Sequence, residues 1–170
     1  EYFLNEERAV LLSSYLRDHG GCVLFARGKP YSGRLPILES IEPVAWGEAL
    51  AQPYSLMPTA AGEDAGLFGD LLPSPNGDLW RNMPKLRGMN RCRDTKTFSR
   101  VLAEGVSDSS GRAHRVPMIV SRRYGKGMVL LVNAEGLWQW DFFPSHDQSG
   151  KIYKDLWMQT IQWMATYSEY

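Results

Sequence analysis

The sequence predicts an α/β fold, in which helices cover a sheet that carries an antiparallel hairpin at its edge. Three features indicate this class: an amphipathic helix that leads directly into an apolar strand, a strand–turn–strand pattern in "VPMIVSRRYGKGMVLLVNAE", and a second amphipathic helix at the carboxyl end. Amphipathic helices that accompany strands bury their apolar stripes by packing on a sheet. We therefore expect layers of helix and sheet.

The first helix is predicted within "NEERAVLLSSYLRDHGG", where Asn5 can cap the amino end and Ala9, Leu12 and Leu16 share one apolar stripe. The strand "CVLFA" follows at once. A strand with so few polar atoms is typical of a parallel sheet that is covered on both faces. Each parallel neighbour needs a crossover of about a dozen residues. Because only "EYFL" precedes the helix, either later strands supply the parallel neighbours or an amino-terminal βα portion of the domain lies outside this sequence, and we favour the second alternative.

The middle of the chain is predicted to leave the sheet and return to it. A short helix is expected in "LPILESI" and a strand in "EPVAWGEAL", whereas residues 51–90 are rich in Gly, Pro and Asn and form a loop-rich excursion. Trp80 and Leu79 are expected to anchor this excursion to the core. Strands follow in "MNRCRD" and "TFSRVLAEG", before a polar gap at "SDSSGRAHR".

The last elements are a hairpin and a helix. The turn "YGKG" joins the two hairpin strands, and its glycines can supply the positive φ angles of a tight turn. In the final helix, "SGKIYKDLWMQTIQWMATY", Trp157 and Trp163 are expected to pack against the sheet.

Composition excludes several classes of function. The 170 residues carry 19 basic and 19 acidic side chains, so nucleic-acid binding is not expected, and the basic residues between 81 and 100 are interpreted as a solvated face. The three histidines lie far apart and form no metal motif with the cysteines, so we expect neither a metal nor a cofactor. The spacing of Cys22 and Cys92 does not decide whether they pair. No apolar run approaches the ~20 residues of a membrane span, so a soluble domain is expected.

Four ordered motifs together resemble a known family. "LSSYLRDHGGCVLFARG", "LWRNMPKLRGMNR", "VPMIVSRRYGKGMVLLVNAEGLWQW" and "DLWMQTIQWMA" are similar to the class I glutamine amidotransferase-like domains of large, often membrane-associated bacterial proteins. The resemblance spans nearly the whole chain, 1–170, as a single domain of a larger protein. It implies a flavodoxin-like three-layer α/β/α sandwich, which normally begins with further βα units.

A working amidotransferase of this class needs a cysteine on the bend that follows the first strand, and a His with a carboxylate partner after a late strand. The bend here is "RGKPYSG", residues 27–33, and it holds no cysteine. Cys22 lies at the other end of the strand and cannot serve. The sequence therefore predicts a non-catalytic module, which binds a ligand or organises its parent protein.

Two alternatives stay open. His146 and Asp147 occupy the place where the class keeps its His and acid, so a hydrolase of another type could use them, with Ser32 as a weaker candidate nucleophile. A carbohydrate- or small-molecule-binding domain could instead use an aromatic rim. Trp138 and Trp140 lie two residues apart on what reads as a strand continuation, so they are predicted to face the same side.

A ligand pocket is predicted at the carboxyl edge of the sheet, with Gly28, Tyr31, Trp138 and Trp140 as binding candidates. The expected partners are other domains of the parent protein, a small-molecule ligand, and a second copy of the chain paired through an exposed sheet edge. The cellular location stays open, and the parent protein is expected to be anchored to a membrane by segments outside this chain.

Overall fold

The computed structural model describes residues 4–32, 35–71, 78–109, 112–142 and 149–168. Helices and strands alternate at the start of the chain, as the sequence predicts, whereas the last four strands follow one another without a helix between them. The helices, with their bounds, are α1 (Glu6–Arg17), α2 (Pro36–Ile41), α3 (Ala60–Asp64), α4 (Asp78–Asn82) and α5 (Ser149–Ala165), with 3-10 helices at Gly69–Leu71 and Leu137–Phe142. The strands are β1 (Cys22–Ala26), β2 (Val44–Leu50), β3 (Ser55–Pro58), β4 (Met89–Thr95), β5 (Ser99–Ser109), β6 (Arg112–Tyr124) and β7 (Gly127–Val132).

Five of the strands form the main sheet, in the order β1-β7-β6-β5-β3. The β1–β7 pair is parallel, whereas β7–β6, β6–β5 and β5–β3 are antiparallel. Strands β2 and β4 form a separate antiparallel pair whose register is interrupted around Trp46. The mixed α/β class is therefore confirmed, but the flavodoxin-like sandwich is wrong, because that fold is built on a mainly parallel sheet with helical crossovers.

The apolar strand β1 is at the edge of the sheet and not in its centre, because β7 is its one partner among the described strands. Its residues Cys22 to Leu24 are only partly buried. The predicted hairpin forms, with Tyr124 paired to Gly127, but it lies inside the sheet, between β1 and β5. Of its two glycines, Gly125 has a positive φ of 60°, at the first central position of a two-residue turn.

The segment 51–90 returns to the main sheet within a few residues. Strand β3 pairs with β5, and Trp80 of α4 is fully buried, as expected of an anchor. The polar stretch predicted as a gap is instead the far end of the β5–β6 ladder, which continues to the pair Ser109–Arg112. Polar residues suit this part of the ladder because an antiparallel sheet tolerates solvent on its faces.

Helices cover both faces of the main sheet, so side chains alternate between two clusters along each strand. On one face Leu16 of α1 packs with Val129 and Leu131. On the other face Leu156 and Met164 of α5 belong to the larger cluster. In β1, Val23 and Phe25 join the α1 side, whereas Cys22 and Leu24 join the α5 side. This period of two is that of an ordinary β-strand.

Candidate functional site

A cavity of about 640 Å³ opens beyond the carboxyl end of β1. Its walls come from the bend after β1, from α2, and from the β2–β4 pair. Its lining includes the polar, charged and aromatic side chains of Tyr31, Ser32, Glu39, Glu42, Trp46, Arg93 and Lys96. The cavity lies near the edge where the sequence predicts a ligand, although the β2–β4 pair supplies a wall that the prediction did not foresee.

An ion pair closes the base of this cavity. The Arg27 guanidinium donates to one carboxylate oxygen of Glu42, and Trp46 Nε1 donates to the other at 2.9 Å. Glu42 is only 1% exposed, which leaves little access for water to its carboxylate. Each of its two oxygens accepts a hydrogen bond from one of these donors. Arg27 also lies 5.2 Å from the Phe25 ring centroid and 5.8 Å from that of Tyr31. Glu42 is therefore a structural acceptor and not a free general base.

Two cations stand at the wall of the cavity. Arg93 Nε donates to the Trp46 carbonyl at 2.6 Å, which leaves its terminal nitrogens without a hydrogen-bond partner among the described residues. Lys96 Nζ donates to the Glu39 carbonyl. Burial lowers the pKa of Lys96, and the nearby Arg122 lowers it further. The Glu42 charge is matched by Arg27. Among the described lining residues, Glu39 is then the one carboxylate left to balance the two cations Arg93 and Lys96, so the wall has an excess of positive charge.

Neither thiol reaches the described part of the bend, residues 27–32. Cys22 begins β1, and its Sγ lies 3.3 Å from the Met164 carbonyl oxygen at the opposite end of the strand, about 13 Å away at ~3.3 Å per residue. Cys92 lies on β4, where burial raises the pKa of its thiol to about 12. Burial also raises the pKa of Cys22. Both cysteines are unpaired, and both thiols are held in their unreactive neutral form.

The predicted candidates separate into two groups. Tyr31 and Ser32 line the cavity, and the Tyr31 hydroxyl donates to the Leu4 carbonyl at 2.7 Å. Gly28 is not among the residues that line the cavity. It packs instead against the backbone of Gly88, since a Cβ on Gly28 would lie 1.5 Å from the Gly88 carbonyl oxygen. Gly28 therefore allows two backbone segments to meet. His146 and Asp147 lie outside the described residues, so the hydrolase hypothesis stays a prediction.

Trp138 and Trp140 do not face the same side. They belong to a 3-10 helix, where residues two apart are rotated by about 120° from one another, and not to a strand. Trp138 is 58% exposed and stacks edge-on against Phe142, whereas Trp140 is fully buried and its Nε1 donates to the Pro84 carbonyl at 2.8 Å. The prediction of a shared face is wrong, and neither ring lines the cavity. Their role in binding stays a prediction.

The sequence reasoning missed Glu42, Trp46, Arg93 and Lys96. It interpreted Arg93 and Lys96 as part of a solvated face and Trp46 as an ordinary strand residue, because a strand pattern does not show which other strand lies opposite. One signal was available: Glu42 is the only charged residue in the otherwise apolar run "IEPVAW". A lone charge in such a run is expected to have a buried partner.

The described part of the chain contains no cluster of His, Cys, Asp and Glu side chains that could hold a metal ion. Among the helices that the structure describes, none is both long and apolar enough to cross a membrane.

Comparison with known proteins finds a likeness of fold among solved structures. No family model matches the sequence, and no curated protein matches it. Among solved structures, the cold-adapted beta-galactosidase from Rahnella sp. R3 is similar, with a TM-score of 0.55 and 16% sequence identity. The likeness covers 95% of this chain but only 21% of that enzyme's chain. It shows a shared fold over about one fifth of a larger protein, and it adds nothing in favour of the flavodoxin-like prediction that the sheet topology contradicts.

Proposed function

We propose that this chain is a non-catalytic, glutamine amidotransferase-like module of a larger bacterial protein, and that it binds a small anionic molecule in the cavity beyond β1. The observation that carries the proposal is the cavity itself. Where an amidotransferase would need a reactive thiol, this cavity presents Tyr31, Ser32 and two cations, Arg93 and Lys96.

The absence of catalysis is supported by the position of both thiols. A cysteine nucleophile must be ionised and must lie within hydrogen-bond reach of a base. Cys22 bonds to Met164 at the wrong end of β1, and Cys92 has a pKa of about 12. Among the described residues no imidazole lines the cavity. These features favour binding over amide hydrolysis.

Anion binding is supported by the charges in the wall. Guanidinium and ammonium groups bind carboxylate and phosphate through charge-assisted hydrogen bonds. Arg93 is fixed through its Nε, so its terminal nitrogens are available at a defined place. Apolar side chains, among them Leu35, Leu38 and Val44, supply much of the remaining wall, which suits a ligand with one anionic group and an apolar or neutral body.

The place of the module in a larger protein is supported by two observations. The likeness to the Rahnella beta-galactosidase covers 21% of that chain, as expected for one module among several. The sequence motifs described above resemble domains of large bacterial proteins that are often associated with a membrane. We include in the proposal that the neighbouring domains are its protein partners, and that any membrane anchor lies outside this chain.

The catalytic part is tested by incubating the purified chain with L-glutamine and measuring ammonia release. We expect no release above the rate without protein. Release that is abolished by Ser32→Ala or Cys22→Ala would overturn the assignment of a non-catalytic module.

The binding part is tested by NMR, with the indole N–H of Trp46 as the reporter because it lies at the base of the cavity. We expect inorganic phosphate or L-glutamate to shift this signal, and the variant Arg93→Gln or Lys96→Gln to weaken the response. Arg100→Gln is the matched control, since it removes the same charge from β5, away from the lining residues. An unmoved Trp46 signal with both probes, or equal weakening by the control, would contradict an anion site here.

A further inference from the structure

The main-chain carbonyls at the end of α2 accept hydrogen bonds from two neighbouring segments of the chain. The donors are the side chain of Arg122 on β6 and both nitrogens of Lys96, which follows β4. Lys96 Nζ donates to the carbonyl of Glu39, Arg122 Nη1 is shared among those of Ser40, Ile41 and Glu42, and Lys96 N donates to that of Pro43. The last carbonyls of a helix have no partner inside it, so these donors complete the end of α2.

The same guanidinium also holds the turn between β4 and β5. Arg122 Nε donates to the Thr97 carbonyl at 3.2 Å, and Ser99 Oγ fastens the turn further by donating to the Pro43 carbonyl at 2.8 Å. Arg122 thus joins the end of α2 to the turn through two of its nitrogens. A lysine in its place would keep the charge, but its single nitrogen cannot hold both places at once.

The turn that is held in this way is strained. Ser99 N donates to the Lys96 carbonyl at 3.0 Å, so Phe98 is the third residue of a β-turn. Its φ is 65°, a conformation that glycine adopts freely and a bulky residue rarely does. The Phe98 ring is 77% exposed, so its packing does little to offset this strain. Backbone strain of this kind persists only where surrounding contacts impose it, and it is common at functional sites.

The charge of Arg122 has no carboxylate partner among the described residues. In that part of the chain its hydrogen bonds go to main-chain carbonyls, and it forms no salt bridge. The Tyr124 ring, whose centroid lies 5.6 Å from the guanidinium carbon, compensates the charge in part. Burial lowers the pKa of Lys96, and the charge of Arg122 lowers it further. Two like charges therefore lie near each other, and a bound anion would be attracted by both.

Lys96 is the residue through which this fastening reaches the cavity. Its backbone N is fixed to Pro43, its amine is fixed to Glu39, and its side chain lines the cavity. Because a lysine side chain is flexible, its amine has a defined place only while both ends are held. Arg93, the other cation of the wall, is fixed separately through its bond to the Trp46 carbonyl. The place of the Lys96 amine relative to Arg93 therefore depends on how the turn is fastened to α2.

We propose that Arg122 is a positioning residue of the anion site, an inference that rests on the proposed function. Arg122 is not among the described lining residues, so it acts on the ligand through Lys96. It fastens the β4–β5 turn to the end of α2 and keeps the Lys96 amine at the wall. Lys96 and Arg93 then bind the same anionic group, a carboxylate or a phosphate, from two sides.

The inference is tested by titrating inorganic phosphate into the purified chain while the Trp46 indole N–H is followed by NMR. We expect Lys96→Gln to raise the dissociation constant about tenfold and Arg122→Lys to raise it at least about threefold, although the second variant keeps the charge. Arg115→Lys is the matched control, because it is the same substitution on the same strand, where the guanidinium pairs with Glu104. Equal affinities of Arg122→Lys and the wild-type chain would refute the inference alone, whereas a wild-type chain that does not respond would overturn the anion site and the inference with it.

A double variant separates positioning from a general loss of stability. If Arg122 acts through Lys96, Arg122→Lys should weaken phosphate binding no further once Lys96→Gln is present. A general loss of stability would instead weaken binding by the same factor in both backgrounds. Losses that multiply in the double variant would show that Arg122 does not act through Lys96, and would refute the positioning role.

Hydrogen exchange without phosphate reports on the fastening directly. The Lys96 amide, which donates to the Pro43 carbonyl, should exchange slowly in the wild-type chain and in Arg115→Lys, and faster in Arg122→Lys. Ser99→Ala removes a single bond of the same fastening and provides a second test if Arg122→Lys lowers the folded fraction. We expect it to speed exchange of this amide and to weaken phosphate binding. A Lys96 amide that exchanges equally slowly in both variants would contradict the proposal.

Discussion

The guanidinium of Arg27 and the carboxylate of Glu42 form a buried ion pair that joins the bend after β1 to the strand pair β2–β4. Trp46 completes it by donating its indole N–H to the second carboxylate oxygen at 2.9 Å. Two charges in such a place are stable only while both are present, because removal of one leaves the other buried and uncompensated. The pair therefore fixes the shape of the cavity above it.

Removal of one member of this pair should be costly. Glu42→Ala leaves the Arg27 charge and the Trp46 N–H without their acceptor, and we expect the free energy of unfolding to fall by about 3–5 kcal/mol. The double variant Arg27→Met/Glu42→Leu removes both charges and should recover much of this loss. Urea denaturation of the three proteins measures the difference. A double variant no more stable than Glu42→Ala would show that the charges themselves are not the cause.

Stability should fall at alkaline pH because of Cys92. Burial raises the pKa of this thiol from 9.0 to about 12, so between these values the folded chain keeps a proton that the unfolded chain loses. The contribution is fully present below pH 9.0 and declines as pH rises towards about 12, by up to about 1.4 kcal/mol per pH unit. Urea denaturation from neutral pH to pH ~10.5 measures the slope. Cys92→Ala should have a flatter slope, and an unchanged one would disprove this cause.

Gly28 should be intolerant of any side chain. A Cβ there would lie 1.5 Å from the Gly88 carbonyl oxygen, which is backbone and cannot rotate away. We expect Gly28→Ala to destabilise the chain by about 3 kcal/mol. Gly47→Ala is the comparison, because its Cβ would meet no atom closer than 3.0 Å and should cost less. Thermal denaturation of both variants decides the matter, and equal stabilities would contradict the close approach.

The two neighbouring tryptophans should differ sharply on truncation. Trp140→Ala opens a cavity in the core and removes the donor to the Pro84 carbonyl, so we expect a loss of about 3–5 kcal/mol. Trp138→Ala removes a mostly exposed ring and should cost less than about 1 kcal/mol. Chemical denaturation followed by circular dichroism measures both. Similar losses for the two variants would mean that Trp138 packs more tightly than its exposure indicates.

The local elements follow from the sequence because their signals are local. Asn5 accepts a hydrogen bond from Arg8 N at 2.9 Å and starts α1 where the cap pattern places it. The two-residue turn after Tyr124 forms because Gly125 adopts a positive φ without a steric penalty. Trp163 of α5 is buried and Trp157 is partly buried against the same core, as the apolar pattern of this helix predicts. Each depends on residues within one or two turns of one another.

Which strands become neighbours was decided only in the tertiary structure. An apolar run such as CVLFA is equally consistent with a central strand and with an edge strand whose faces are covered by α1 and α5. The sequence favoured a central strand of a parallel sheet, whereas β1 lies at the edge of a mostly antiparallel one. The cavity has the same origin, because Glu42, Trp46 and Arg93 meet through the β2–β4 pairing. Alternation along a strand records which faces are buried, but it holds no information about which strand forms hydrogen bonds to its edge.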